Sequence, residues 1–194
     1  MRRIVDLVTG ISCLVLLSPM FLLVAILIRL DSKGPILYAP QMIGQHGKPF
    51  SLLRFRTMSR GQLTHMGRFL RNYSLDHLPM LLNLLKGDLT LIGARPMEIH
   101  VVDFSDPIWQ RYFWVKPGVF NYAVLKLGNL WNPSRANNPA LNQELELEYL
   151  EKRSLEFDLQ VFLNAVRAWI TSKGNVKARG EPDADVKDRI HKVS

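Results

Sequence analysis

The side chains with the best chemistry in this sequence are one carboxylate and three guanidiniums. Asp76 stands in Ser74-Leu75-Asp76, just before a segment whose Leu78, Leu81, Leu82 and Leu85 fall at i, i+3, i+4 and i+7, with Gly87 as a stop. Pro79 is tolerated only in the first turn of such a helix, where its missing N–H would have had no partner, so the helix starts close to Asp76. Aspartate at a helix N-terminus is commonly a cap. The same place, with free N–H groups and the positive end of the helix dipole, also favours an incoming phosphate. Arg54 and Arg56 lie in Phe50-Ser51-Leu52-Leu53-Arg54-Phe55-Arg56-Thr57-Met58; as a strand, this puts both arginines on one face and Phe55 on the other. Two guanidiniums then converge on one site. Arg95 follows Gly93-Ala94 and precedes Pro96, a turn that presents a planar fork suited to bidentate phosphate contact. The ordinary alternative for each arginine is a solvated charge on a strand face or turn.

These groups are preceded by an apolar stretch. Residues 7–28 carry no charge, and at about 1.5 Å per residue they could cross about 30 Å of hydrocarbon. A cleaved signal peptide fits poorly, because no small-residue cleavage site follows and the run is long for such a segment. Ser18-Pro19 falls near its middle, where proline removes a backbone hydrogen bond and predicts a sharp bend, while the serine hydroxyl can take the freed carbonyl. Arg2 and Arg3 precede the run and Arg29 and Lys33 follow it, so the positive-inside rule sends neither end across. Two arrangements remain: a kinked span, or a re-entrant helix-break-helix with both ends cytoplasmic.

With 194 residues the chain holds one modest domain plus an appendage. A net charge of +8 suits anionic lipid, phosphorylated substrates or nucleic acid. Nucleic acid is set aside, since neither a recognition helix nor an interleaved aromatic platform is visible. Cys13 is the single cysteine, so no disulfide framework or cysteine-rich metal site can be built. Short strands are expected at residues 36–38 and 89–92, and a short basic helix at 66–71. An aromatic-rich piece at 109–115 is broken by Lys116-Pro117-Gly118. A polar loop is expected at 129–142, then a Glu-rich helix at about 141–152 and an apolar helix at about 157–170. The expected fold is α/β, small and irregular. It divides into a re-entrant membrane helix over residues 1–33, a cytosolic domain over 34–172 and a polar, flexible tail over 173–194.

The order of motifs resembles the bacterial sugar-transferase family, the small monotopic phosphoglycosyl transferases. The resemblance is carried by Ser18-Pro19, Leu53-Arg54-Phe55-Arg56-Thr57-Met58, Gly67-Arg68-Phe69-Leu70-Arg71 and Ser74-Leu75-Asp76 followed by Leu78-Pro79. It continues through Asn83-Leu84-Leu85-Lys86-Gly87-Asp88, Gly93-Ala94-Arg95-Pro96, Lys116-Pro117-Gly118, and the spacing of Tyr149, Ser154, Asp158 and Leu159. It implies transfer of a phosphosugar from a nucleotide-sugar, UDP-linked, to polyprenyl phosphate at the cytoplasmic face of a bacterial inner membrane, starting surface-glycan or exopolysaccharide synthesis. Asp76 is then the nucleophile that forms a phosphosugar-enzyme, Arg54, Arg56 and Arg95 bind phosphate, and Arg71, Asp88 and Glu146 are accessory candidates. Membrane lipid is a further partner, and a homodimer is compatible with the family. The family's Asp-Glu dyad, whose Glu is associated with Mg²⁺, reads Asp76-His77 here. A divalent metal is expected, Mg²⁺ by resemblance, with Mn²⁺ as the alternative if the imidazole of His77 is a ligand. The family's G-W-A-Q-V-x-G-R loop reads Asn121-Tyr122-Ala123-Val124-Leu125-Lys126, and its G-P-R-P turn reads Gly93-Ala94-Arg95-Pro96. The second reading is a degenerate, non-catalytic homologue that binds polyprenyl phosphate or scaffolds an active partner. His77 and the altered loop are its signs.

Overall fold

The computed structural model describes residues 2–102, 104–105, 107–126 and 139–171. The residues expected as a tail, and the expected polar loop up to residue 138, lie outside them. The architecture is mixed helix and strand, with long helices at the two ends of the described chain and short strands between.

Helix α1 (Arg2–Asp31) runs without interruption through Pro19, one continuous helix in place of the expected helix-break-helix. The expected local chemistry is present: Pro19 cannot donate to the Val15 carbonyl, and Ser18 Oγ donates to it at 2.8 Å. One stripe of α1, with Asp6, Gly10, Val24 and Ile28 buried, lies along the rest of the protein. Gly10 permits the close approach, since a Cβ there would stand 2.8 Å from Leu85 Cδ2. On the other side Ile4, Val8, Ile11, Val15, Leu16, Leu22, Leu23 and Leu30 are all more than half exposed, an apolar face far larger than a soluble monomer carries.

Among the described residues the middle of the chain makes four small sheets. Strands β1 (Leu37–Tyr38) and β4 (Arg54–Phe55) pair antiparallel. Strand β2 (Gln41–Ile43) lies between β3 (Pro49–Ser51) and β8 (Met97–Glu98). Strands β5 (Met58–Ser59) and β6 (Gln62–Leu63) form a hairpin. The parallel pair is β7 (Thr90–Ile92) with β9 (Gly118–Phe120). The expected single strand through residues 50–58 is therefore three pieces. At the first break, between β3 and β4, stands Asn83, fully buried, whose side chain accepts from Leu53 N at 2.8 Å and donates to Ser51 O at 2.8 Å. It satisfies the backbone where a neighbouring strand would have, and the chain changes partner from β2 to β1 at that point.

Helix α2 (His65–Tyr73) is capped by Thr64, whose Oγ1 accepts from Gly67 N at 2.9 Å. Ser74 ends it in the left-handed region, and a single 3₁₀ turn, Leu75–His77, leads through Pro79 into α3 (Met80–Lys86). Asp76 thus sits in the turn that opens α3, as expected. The buried side of α3 is Met80, Asn83 and Leu84, and the periodic leucines at 78, 81, 82 and 85 are half-buried. Helices α4 (Pro107–Tyr112) and α5 (Tyr122–Lys126) precede the C-terminal pair α6 (Pro139–Lys152) and α7 (Leu155–Thr171). Ile92, Tyr122, Ala123, Leu145, Tyr149 and Val161 make the core that holds this pair on β7 and β9. The motif residues near the C-terminus become contacts: Ser154 caps α7 through Phe157 N at 3.0 Å, and Tyr149 OH donates to Asp158 at 2.8 Å.

Candidate active site

Asp76 is 7 % exposed, and its Oδ1 lies 3.2 Å from His77 Nδ1. Strand β4 packs against the Asp76 turn and brings Arg54 to it, while the last turn of α2 brings Arg71. Burial alone would raise the Asp76 pKa; His77, Arg54 and Arg71 outweigh it and hold the carboxyl below the ordinary range. Asp76 is therefore an anion at neutral pH, itself buried while His77 and Arg71 beside it reach solvent. Arg54 is half-buried, with a buried Nε that has no hydrogen-bond partner, and desolvation together with nearby Arg95 lowers its pKa, against the pull of Asp76. Arg71 is oriented by a bond from its Nε to Thr57 Oγ1 at 3.0 Å. A buried carboxylate with guanidiniums beside it offers an anion and several cations in one place, a charge arrangement suited to holding phosphate groups.

Arg95 belongs to the same neighbourhood through its effect on Arg54. Its turn follows β7, Ala94 bridges to Pro117, and Tyr112 OH donates to the Arg95 carbonyl at 2.8 Å. Arg95 Nη1 is buried without a partner, so this guanidinium has a donor in reserve. The turn depends on close backbone contact, because a Cβ on Gly93 would meet the Lys116 carbonyl and one on Gly118 would meet Gly93 N.

Arg56 goes elsewhere. Its guanidinium donates to Ser32 O, Ser32 Oγ and Lys33 O, each at 2.8 Å, closing the C-terminal end of α1. The expected convergence of Arg54 and Arg56 fails because β4 ends at Phe55, so the two arginines do not share one strand face. Arg56→Ala should therefore lower stability by about 1–2 kcal/mol through the lost carbonyl contacts; thermal melts check it.

Asp88 accepts from Asn83 Nδ2 at 3.0 Å and so braces the end of α3 rather than Asp76. Glu146 is fully buried behind the Arg95 turn; the N–H groups of Arg95 and Ala123 approach its carboxyl without closing well-aligned bonds. Burial raises its pKa to about 8, against the opposing pull of those N–H groups and the Arg95 charge. The folded state keeps this proton while the unfolded state releases it near 4.5, so wild-type stability falls as pH rises from about 4.5 to about 8. Glu146→Gln, neutral throughout, should lack that slope and melt higher than wild type at pH 8. Melts from pH 5 to 8 test it.

Mg²⁺ asks for hard oxygen donors in octahedral array. Among the described residues no group of three or more His, Cys, Asp or Glu converges. Asp76 and His77 offer two atoms that face each other, one of them an imidazole nitrogen. This donor set does not fit Mg²⁺, and no step is assigned to a metal.

Asn83 appears in the sequence only as the first residue of the Asn83-Leu84-Leu85-Lys86-Gly87-Asp88 motif and as a polar side chain in a leucine-rich helix; its bonds to the backbone at Ser51 and Leu53, between β3 and β4, were not foreseen.

The same chain order and spacing recur in known proteins. The family described as bacterial sugar transferase matches residues 1–172. The chain is 33 % identical over 186 residues to the uncharacterized sugar transferase EpsL of Bacillus subtilis, covering 90 % of this chain and 89 % of EpsL. It is 30 % identical over 188 residues to the UDP-glucose:undecaprenyl-phosphate glucose-1-phosphate transferase of Caulobacter vibrioides, covering 88 % of this chain and 70 % of that protein. With the UDP-N-acetylgalactosamine-undecaprenyl-phosphate N-acetylgalactosaminephosphotransferase of Aeromonas hydrophila the identity is 27 % over 190 residues, 89 % of this chain but 44 % of the larger relative. The match runs from α1 through α7 and takes in Asp76, Arg54 and Arg95, so the chain belongs to the bacterial sugar transferase family.

Proposed function

We propose that the protein transfers a sugar 1-phosphate from a UDP-sugar to polyprenyl phosphate through a covalent intermediate on Asp76. The observation that carries this reading is the buried Asp76 carboxylate with Arg54 and Arg71 beside it and Arg95 next to Arg54. An Asp76 carboxylate oxygen attacks the phosphorus that bears the sugar. The bond from that phosphorus to the bridging oxygen breaks and UMP leaves. An oxygen of polyprenyl phosphate then attacks the same phosphorus, the acyl phosphate bond breaks, and polyprenyl diphosphosugar leaves with Asp76 restored. The arginines supply positive charge where the diphosphate stands, and the small exposure of Asp76 keeps water from the acyl phosphate. Two relatives whose names give a UDP-sugar and undecaprenyl phosphate support the substrate classes.

The experiment is release of UMP by the purified protein in nanodiscs containing undecaprenyl phosphate, across a panel of UDP-sugars. Because cationic charge comes from guanidiniums, turnover in EDTA should stay within about threefold of turnover with Mg²⁺. No release from any donor would favour a non-catalytic homologue, the reading that His77 in place of the family glutamate suggests.

The site works at a membrane that the chain enters from one side. Helix α1 is long and apolar enough to cross. Its first turn is tied to α3 and β7 by Arg3 and Asp6, and its last to α2 by the bond from Met66 N to Asp31 at 3.0 Å and to Arg56 through Ser32. A helix held at both ends by one domain, with its outer face apolar, supports a monotopic placement with both ends cytoplasmic. In a Cys13→Ser background, cysteines placed at Arg2 and Lys33 should both resist an impermeant maleimide in intact spheroplasts and react after permeabilisation. Reaction of either in intact spheroplasts would contradict the placement.

A further inference from the structure

We infer that the first turn of α1 is a positioning bracket for the active site: Asp6, Arg2 and Arg3 hold the strand that carries the Arg95 turn and the helix that follows Asp76. This rests on Asp76 and Arg95 being the reacting and phosphate-binding groups of the proposed transfer.

Among the described residues strand β7 has one strand neighbour, β9, on one edge. Within it Thr90 and Ile92 are the residues in register with β9, so the N–H of Leu91 points the other way and needs a different acceptor. Asp6 provides it: Oδ1 accepts from Leu91 N at 2.8 Å, and the Thr90 hydroxyl lies 3.1 and 3.0 Å from its two oxygens. Asp6 is 5 % exposed, so it meets protein rather than headgroups or solvent. A second chain of contacts reaches the next residue. Arg2 Nη2 pairs with Asp158 Oδ2 at 3.0 Å, Asp158 Oδ1 accepts from Tyr149 OH at 2.8 Å, and that hydroxyl lies 3.4 Å from Ile92 O. Residues 90–92 are thus fixed from α1, three residues before Arg95.

Arg3 acts on the other arm. Its Nη1 and Nη2 donate to Leu84 O at 2.7 Å and Leu85 O at 2.6 Å, carbonyls of the last turn of α3, where Leu84 O also accepts from Gly87 N at 3.2 Å. The helix that opens at the Asp76 turn is therefore closed by the membrane helix. A carboxylate and two arginines flanking an apolar run need none of this geometry to set topology; a charge buried there is costly unless it is bonded as these are. Docking of α1 and alignment of Arg95 with Asp76 become one event.

The test is a double-mutant cycle on the full chain in nanodiscs, reading UMP release and hydrogen–deuterium exchange. Asp6→Ala should lower kcat/KM about tenfold or more, and speed exchange over residues 90–96 while α2 stays at the wild-type rate. If Asp6 acts through Arg95, the same change made in Arg95→Ala should cost less than about twofold further. A full tenfold loss in both backgrounds, or wild-type exchange at residues 90–96, would overturn the bracket. Should Asp6→Ala fail to fold, Thr90→Val removes the hydroxyl donor and leaves the Leu91 bond; it should act in the same direction by about threefold, and no effect counts against the inference. If the wild-type chain releases no nucleotide, the transfer reading fails and exchange alone decides the bracket.

Discussion

Asp76→Asn is expected to reduce UMP release by at least about 10³-fold without unfolding the protein. Asparagine fills the same buried volume but cannot form the acyl phosphate, so chemistry is lost while packing is kept. The change has a second signature in stability. The Asp76 pKa is held below the ordinary range, net of burial, by His77, Arg54 and Arg71, so the carboxylate stabilises the fold above its unfolded pKa of about 3.9. That stabilisation disappears as pH falls through the lower folded value. Wild type should therefore melt above Asp76→Asn at pH 7, and the gap should close on acidification. A variant that retained more than about a tenth of wild-type turnover would remove Asp76 from the nucleophile role.

Arg54→Met should be the next most damaging change, with a loss of about 100-fold or more in kcat/KM. Arg54 is half-buried and feels the charges of both Asp76 and Arg95, and methionine keeps much of its stem while removing the cation. Besides weakening phosphate binding, the change removes one of the groups that lower the Asp76 pKa. The acid limb of the pH–kcat/KM profile should move upward, because Asp76 then takes its proton at a higher pH. Arg56→Ala is the control with the same loss of charge at a residue that serves α1, and it should leave the limb in place. A limb that did not move in Arg54→Met would separate Arg54 from Asp76.

Much of this site was legible because its motifs are local. The turn at Asp76 could be read from Pro79 and the leucine spacing, and the Arg95 turn from its glycine and proline, since both depend on backbone rules that act over a few residues. What was hidden depends on contacts across the chain. Arg54 and Arg56 look equivalent in a strand pattern, yet β4 ends at Phe55, so Arg54 lies against the Asp76 turn while Arg56 donates to Ser32 and Lys33 beyond the end of α1. Arg2 and Arg3 read as topology signals, although their partners lie on α7 and α3. Ser18-Pro19 predicted the substitute hydrogen bond correctly, but the helix accommodates the proline without ending. Pattern gives the identity of such residues; only the tertiary fold gives their partners.

The central claim is a phosphosugar bonded to Asp76, and it can be observed directly. Protein in nanodiscs without lipid acceptor would be incubated with a UDP-sugar labelled at the phosphate that bears the sugar, quenched in acid and digested. The account predicts an adduct of sugar plus phosphate on the peptide containing Asp76, absent in Asp76→Asn and discharged by polyprenyl phosphate as labelled lipid appears. Formation of labelled lipid with no protein adduct at any time, or an adduct on a different residue, would contradict it.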